Sequence, residues 1–303
     1  MNSASSSKRW RWAGPILGLL LAGALTSCST ASRPGSAASN LAQSLSFHAS
    51  FDQGLDADFA RGSREFRHAP SMDRRKESSP GLPAGGDVVL ASGAGRFGNA
   101  LRFVRRGSPI VFYPAWTNMG YRTSNWSGTV SFWLRVDPQQ ELAMSYCDPI
   151  QITPRSWNDA AFFVEFEKRT NDVPFRLGVY PDLKVWNPDN RKWEEMSPAE
   201  KPLVTLNPAP FSGDRWTHVV FTFERFNTGR DDGLCRLYLD GAPVATLGPR
   251  RQTFTWDERE ALMMLGLSYI GLWDELSVFD RALGPDEVRQ LHSLPRGVAE
   301  LHP

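Results

Sequence analysis

Trp216-Thr217-His218-Val219-Val220, Leu237-Tyr238-Leu239-Asp240-Gly241, Gly271-Leu272-Trp273-Asp274-Glu275-Leu276 and Asp280-Arg281-Ala282-Leu283 decide the fold. From Trp216 to Phe226 the residues alternate. Val219, Phe221 and Phe223 share one face, and His218, Thr222 and Glu224 the other, which is the period of a half-buried strand. Leu234–Leu239 then pairs with Pro243–Leu247 across Asp240-Gly241. That dipeptide suits a two-residue type I′ turn, which needs positive φ at both positions. Ile270–Phe279 reads as the last strand and Pro285–Leu294 as a short amphipathic helix. Pro285 stands at its first turn, and Asp286 and Glu287 lie near the positive end of its dipole.

Working towards the N-terminus, the strand signal recurs. Strands are expected at Val130–Val136, Ala161–Glu167, Phe175–Tyr180 and Leu183–Trp186, with Pro181-Asp182 as the turn between the last two. Both faces of Val130–Val136 carry large residues, so cover on both sides is expected. Leu45, Phe47 and Ala49 alternate with polar residues, and Val88–Leu90 is a short strand. Residues 61–86 and 187–212 read as surface loops. Gly95-Arg96-Phe97-Gly98-Asn99-Ala100-Leu101-Arg102-Phe103 has glycines at the wrong spacing for a phosphate loop. No internal repeat and no helical domain appears.

These stretches together resemble a laminin G-like domain of the concanavalin A-like lectin/glucanase group. The resemblance runs from about residue 47 to 292, strongest at 95–103, 129–136, 214–241 and 271–291. It implies an all-β fold, two antiparallel sheets packed as a jelly-roll sandwich. It does not imply one activity, because this fold serves lectins, glycanases and inert spacers alike. Residues 140–212 depart from the generic pattern.

The N-terminus reads as a targeting segment. Lys8, Arg9 and Arg11 precede an apolar run from Trp12 to Leu25, too short for a confident membrane span. Leu25-Thr26-Ser27-Cys28 resembles a bacterial lipobox, which implies that Cys28 is lipidated and that residues 1–27 are a lipoprotein signal peptide. Ser29, rather than Asp, points to the outer membrane in a two-membrane cell. Residues 28–44 are Ser/Ala-rich and read as a tether, 45–294 as the sandwich and 295–303 as a tail. The chain carries 34 basic and 33 acidic residues, and removal of 1–27 leaves 31 against 33. No basic stripe marks a nucleic-acid partner. Eleven Trp and eighteen Phe suffice for a sandwich core.

Two cysteines remain past Cys28. Cys147 and Cys235 lie far apart in sequence, and an exported protein keeps disulfides. A bridge between them is a candidate, stabilising by roughly 4 kcal/mol in the loop-entropy view. Two separate buried thiols are the alternative.

Catalytic templates fit poorly. Glucanases of this fold use an E-x-D-x-x-E strand, which is absent. Glu165-Phe166-Glu167 is the nearest approach, two carboxylates on one strand face, and a solvated outer face is the better reading. There is no nucleophile elbow, and the five histidines show no zinc spacing. His218 reads as a hydrogen-bonded packing residue. The resemblance implies a structural calcium between the N-terminal segment and the last strand, with Asp58 and Asp274 the matching ligands and Asp52 and Asp56 in reserve. Acids that merely close turns are the alternative. For sugars, Trp157 with Asn158 and Asp159, and Trp186, combine aromatic faces with polar loop groups. Trp193 stands behind them. The expected function is non-catalytic binding of a glycan or cell-envelope polysaccharide from a lipid anchor. A protein–protein envelope scaffold is the second reading, and a polysaccharide-cleaving enzyme the third.

Overall fold

The computed structural model describes residues 40–107 and 109–302, so Cys28, the signal segment and most of the tether lie outside the described residues. The Asp240-Gly241 hairpin forms as its sequence dictates, with φ of 48° and 80°. Among the described residues seventeen strands, numbered in chain order, build two sheets whose ladders are all antiparallel. The first sheet runs β15 (Ala242–Arg250), β14 (Gly233–Leu239), β13 (Thr217–Phe226), β8 (Trp126–Arg135), β17 (Gly271–Phe279), β1 (Leu45–Ala49) and β2 (Phe59–Ala60). β6 (Ala100–Phe103) joins β17, and β5 (Val88–Ala91) joins β6. The second sheet runs β12 (Leu203–Leu206), β11 (Phe175–Tyr180), β10 (Ala161–Lys168), β9 (Ser145–Thr153), β16 (Leu262–Leu267), β7 (Ile110–Pro114), β3 (Arg67–Ala69) and β4 (Ser79–Pro80). The expected jelly-roll sandwich is the observed fold.

Alternation sets the core. From β8, Trp126, Val130, Phe132 and Leu134 point inward, and from β10, Phe162, Val164 and Phe166 do. Trp126 is fully buried, edge-on to Phe162, Phe223 and Trp256, and its indole N–H donates to the Met119 carbonyl at 3.1 Å. A large indole is buried at little cost only when that N–H is paired. Gly128 is required here, since a Cβ would come within 2.5 Å of the Phe223 ring.

The outer face of the first sheet carries a second core. Leu41, Leu45, Val220, Tyr238, Phe279, Val288, Leu291, Val298 and Leu301 are buried together. Residues 40–44 are helical (α1), and the last helix, Pro285–His292, closes over the sheet. This explains why β8 and β13 are large-sided on both faces. It also moves both domain limits. Residues 40–44 are folded against the sandwich rather than tether, and Gly297–Leu301 form a docked 3-10 helix rather than a loose tail.

Other expectations change as well. Leu183–Trp186 is one turn of α-helix (α2), not a strand. The Asp182 carbonyl takes the Val185 N–H at 2.7 Å, and the Leu183 N–H goes to Asp159 Oδ1 at 2.8 Å, so neither amide serves a strand ladder. The 187–212 stretch contains β12, and 61–86 contains β3, β4 and the buried Phe66 and Ala69. β7, β9 and β16 add to the strands expected from sequence. β9 hides its period behind Asp148-Pro149, and β16 (LMMLGL) does not alternate because Met263 and Leu265 face one core while Leu262 and Met264 face a small one outside.

Cys147 and Cys235 are free, buried thiols, so the bridge expectation is corrected. Cys147 sits on β9 of one sheet and Cys235 on β14 of the other, both within the apolar core. Burial pushes the Cys147 thiol up to about 11 and Cys235 higher, so neither offers a thiolate.

Candidate functional site

The outer face of the second sheet gathers the residues singled out for sugar contact. Along β10 and β11, Phe163, Glu165, Glu167, Arg176, Gly178 and Tyr180 point away from the core, as the period of two requires. Gly178 leaves room for the Phe163 ring, which a Cβ would meet at 2.2 Å. Tyr180 stacks beside Phe163 at 5.3 Å and is met edge-on by Trp157 at 5.6 Å and Trp186 at 5.1 Å.

The Trp157–Asp159 loop and α2 are tied together. Trp186 Nε1 donates to the Asn158 carbonyl at 2.9 Å, and Asp159 Oδ1 accepts the Leu183 N–H. Arg155 reaches Asp182 at 2.5 Å and Asp159 at 3.3 Å. The structure thus brings Trp157, Asn158, Asp159 and Trp186 to one corner. Trp157 is 53% exposed there, although large apolar groups are usually covered. Trp193 is elsewhere engaged, under the Lys201 ammonium at 4.6 Å.

Beside this aromatic corner lies a charged cluster. Arg176 sits between Glu165 (2.5 Å) and Glu167 (2.8 Å), and its guanidinium lies over the exposed Tyr146 ring at 5.1 Å. Burial pushes Glu165 up to about 7 against the pull of Arg176. Burial and the neighbouring Glu165 push Asp148 up as well. The two β10 carboxylates do share a face, but a guanidinium stands between them where a retaining hydrolase would place a sugar. Sequence reading missed Tyr180, Phe163 and Arg176. Their signal was the outward alternation of β10 and β11.

The expected calcium ligands occupy turn-closing positions. Asp274 is fully buried, with Oδ2 accepting the N–H of Arg96 (2.7 Å) and Phe97 (3.3 Å) and Oδ1 that of Glu275 (2.8 Å). Burial, then Glu275, push this carboxyl up to about 9 while the amides oppose. Asp58 Oδ2 accepts the Ser50 N–H at 2.6 Å, Asp56 that of Phe66 at 2.9 Å and Asp52 that of Asn99 at 2.7 Å. Among the described residues no group of three or more His, Cys, Asp or Glu side chains could hold a metal ion. Calcium needs six to eight oxygens free to turn towards it, and a carboxylate already facing three amides does not fit.

A third constellation lies at one end of the first sheet. His218 is buried, with Nε2 at 2.8 Å from Ser131 Oγ, and it stacks on Trp133 at 4.6 Å and His292 at 5.5 Å. Burial lowers its pKa to about 3, so the ring packs as a neutral group.

Residues 113–289 match the family model Laminin_G_3, described as the concanavalin A-like lectin/glucanases superfamily. The chain belongs to that superfamily. No curated protein matches it. Solved structures similar to this laminin G-like chain include domain 4 of an extracellular GH43 arabinanase from Geobacillus stearothermophilus, in complex with arabinotriose. It is 19% identical with a TM-score of 0.50, covering 82% of this chain and 98% of that domain. The ligand-binding domain of botulinum neurotoxin serotype D, in complex with N-acetylneuraminic acid, is 12% identical with a TM-score of 0.51. That match covers 84% of this chain and 52% of the toxin domain, so the chain spans about half of the latter's length. At these identities the likeness shows the fold.

Proposed function

We propose that this laminin G-like domain is a non-catalytic glycan-binding module, displayed from a lipid anchor at Cys28 on the outer membrane. The observation that carries the reading is the exposed Trp157 ring, held edge-on to Tyr180 beside Trp186, Asn158 and Asp159. A fixed aromatic face with amide and carboxylate neighbours offers a sugar both stacking and hydroxyl partners. The arabinanase domain and the toxin domain were each solved with a saccharide, which supports the same class of ligand here. Many tethered copies would raise effective concentration, so weak sites suffice.

Hydrolysis is disfavoured because Arg176 bridges Glu165 and Glu167. The raised carboxyl of Glu165 is a feature a hydrolase would share.

The test is binding of the full chain to a panel of neutral and charged polysaccharides. Saturable binding to one class is expected, and Trp157→Ala should weaken it about ten-fold or more. Unchanged binding in that variant would remove the aromatic corner from the reading. Membrane fractionation tests the anchor. The Cys28→Ser chain should leave the membrane fraction, and its retention there would sink the lipid-anchor reading.

A further inference from the structure

We infer that the groove between the Gly95–Asn99 loop, the Asp240-Gly241 turn and the end of the last helix binds an anionic sugar, specifically a uronic acid residue. Arg96, Trp133, Arg215, Trp216, Asp240 and His292 line a hollow of about 360 Å³. It shares Asp240 and His292 with a neighbouring hollow of about 500 Å³. Both fall within the roughly 300–1,000 Å³ typical of small-ligand pockets. The groove belongs to the first sheet, so it is separate from the aromatic corner of the second.

The walls are flat and fixed. Trp133 and His292 stack at 5.4 Å and 22°, and both rest on the buried His218. Opposite, Trp216 is half-buried with the Arg135 guanidinium 5.5 Å from its ring. Trp133 is buried beneath Arg96 and the two imidazoles, so the half-buried Trp216 is the indole that offers a face to the C–H side of a pyranose.

The charge is unbalanced in one direction. Arg215 is paired with Asp240 at 2.7 Å. Arg96 is exposed, and among the described residues its guanidinium meets only rings, Phe97 at 4.8 Å and Trp133 at 4.9 Å. The lining's two arginines outnumber its one aspartate, and Arg135 on the Trp216 ring adds a further positive charge beside them. A carboxylate suits that excess, since a guanidinium holds it through two parallel hydrogen bonds. A multiply charged phosphate would meet Asp240 as well. The same aspartate, with Oδ1 on the His218 N–H and Oδ2 on Arg215, keeps lone pairs for sugar hydroxyls.

Arg96 is also held in place. Its backbone N–H and that of Phe97 are gripped by Asp274, and Asn99 by Asp52. Gly95 and Gly98 permit that grip, because a Cβ at either would strike Asn99 or Asp52. A loop fixed before binding loses little entropy on binding.

The test is calorimetric titration of the full chain with tri-galacturonic acid and with its methyl ester, the same sugar without charge. The acid should bind saturably, and the ester about ten-fold or more weakly. Arg96→Gln should weaken the acid by a similar factor while lowering the melting temperature by no more than a few degrees, since it removes only the contacts to the Phe97 and Trp133 rings. Added salt should weaken the acid. Trp157→Ala should leave this binding intact, which separates its failure from that of the aromatic corner. Equal binding of acid and ester overturns the inference. Full affinity in Arg96→Gln does so too, as does absence of acid binding at millimolar concentration. Loss in Trp157→Ala with Arg96→Gln unaffected would place the sugar on the second sheet and equally overturn it.

Discussion

The outer faces of the two sheets have opposite fates. That of the first sheet is roofed by α1, the last helix and the 3-10 turn, whose Leu41, Val288, Leu291, Val298 and Leu301 bury Val220 and Tyr238 beneath them. That of the second sheet keeps its polar and aromatic side chains, with Tyr146 and Trp157 open and Arg176 clasped between two carboxylates. The inner faces of the sheets are alike. What differs is how far the described residues supply a cover: over the second sheet it is limited to the small cluster of Ala69, Phe112, Leu262 and Met264, and the β10–β11 part of that face stays open.

Truncation separates the faces most sharply. Leu291→Ala under the roof should cost about 2–5 kcal/mol. Trp157→Ala on the open face should change stability by about 0.5 kcal/mol or less. Chemical denaturation of both variants measures the contrast, and similar losses would mean that Trp157 is structural.

Acid sharpens it next. His218 belongs to the roofed side and has a pKa near 3 when folded, below its ordinary value of about 6.5. The unfolded chain therefore takes up a proton first as pH falls. Its contribution is intact above about pH 6.5 and is lost progressively towards pH 3. Between about pH 6.5 and 4.5 the loss should amount to about 2 kcal/mol. His218→Phe keeps the stack and removes the titration, so its stability should fall less over that interval. Parallel acid limbs for the two proteins would show that His218 is not buried as described.

The smallest effect expected is that of a chelator. With Asp274 facing three amides, EDTA or added calcium should leave the melting temperature unchanged. A rise with calcium would show that the carboxylates can turn outward and take a cation.

How much of this was legible in sequence follows from which contacts are local. The Asp-Gly hairpin, the alternation of β13 and the Pro285 helix start are written in neighbouring residues, and all three appear as read. β16 and β9 are not, because a strand packed on both faces loses its period and Pro149 disguises the other. α2 resembled a strand through Leu183 and Val185 until the Asp159 carboxylate, 24 positions upstream, claimed its first amide. The Trp157–Asp159 loop and Trp186 were found by composition. Their common partner, Tyr180, was not, since its role depends on the pairing of β10 with β11. The Arg96 groove is assembled from five separate segments, and no local pattern announces it. The aspartates show the same limit, because an acid that closes a turn and one that holds a cation share one composition.

Leu41 and Leu301 are buried in one cluster, and only three residues separate Leu41 from β1, which lies inside the first sheet between β17 and β2. A pull transmitted from ahead of residue 40 therefore reaches a strand flanked on both edges. Its hydrogen bonds to β17 run across the strand, from Leu45 opposite Phe279 to Ala49 opposite Leu276. Drawn along its own length, such a strand loads those bonds together in shear rather than peeling them one at a time. If the chain hangs from the proposed anchor at Cys28, the load enters the sandwich through that shear-loaded strand.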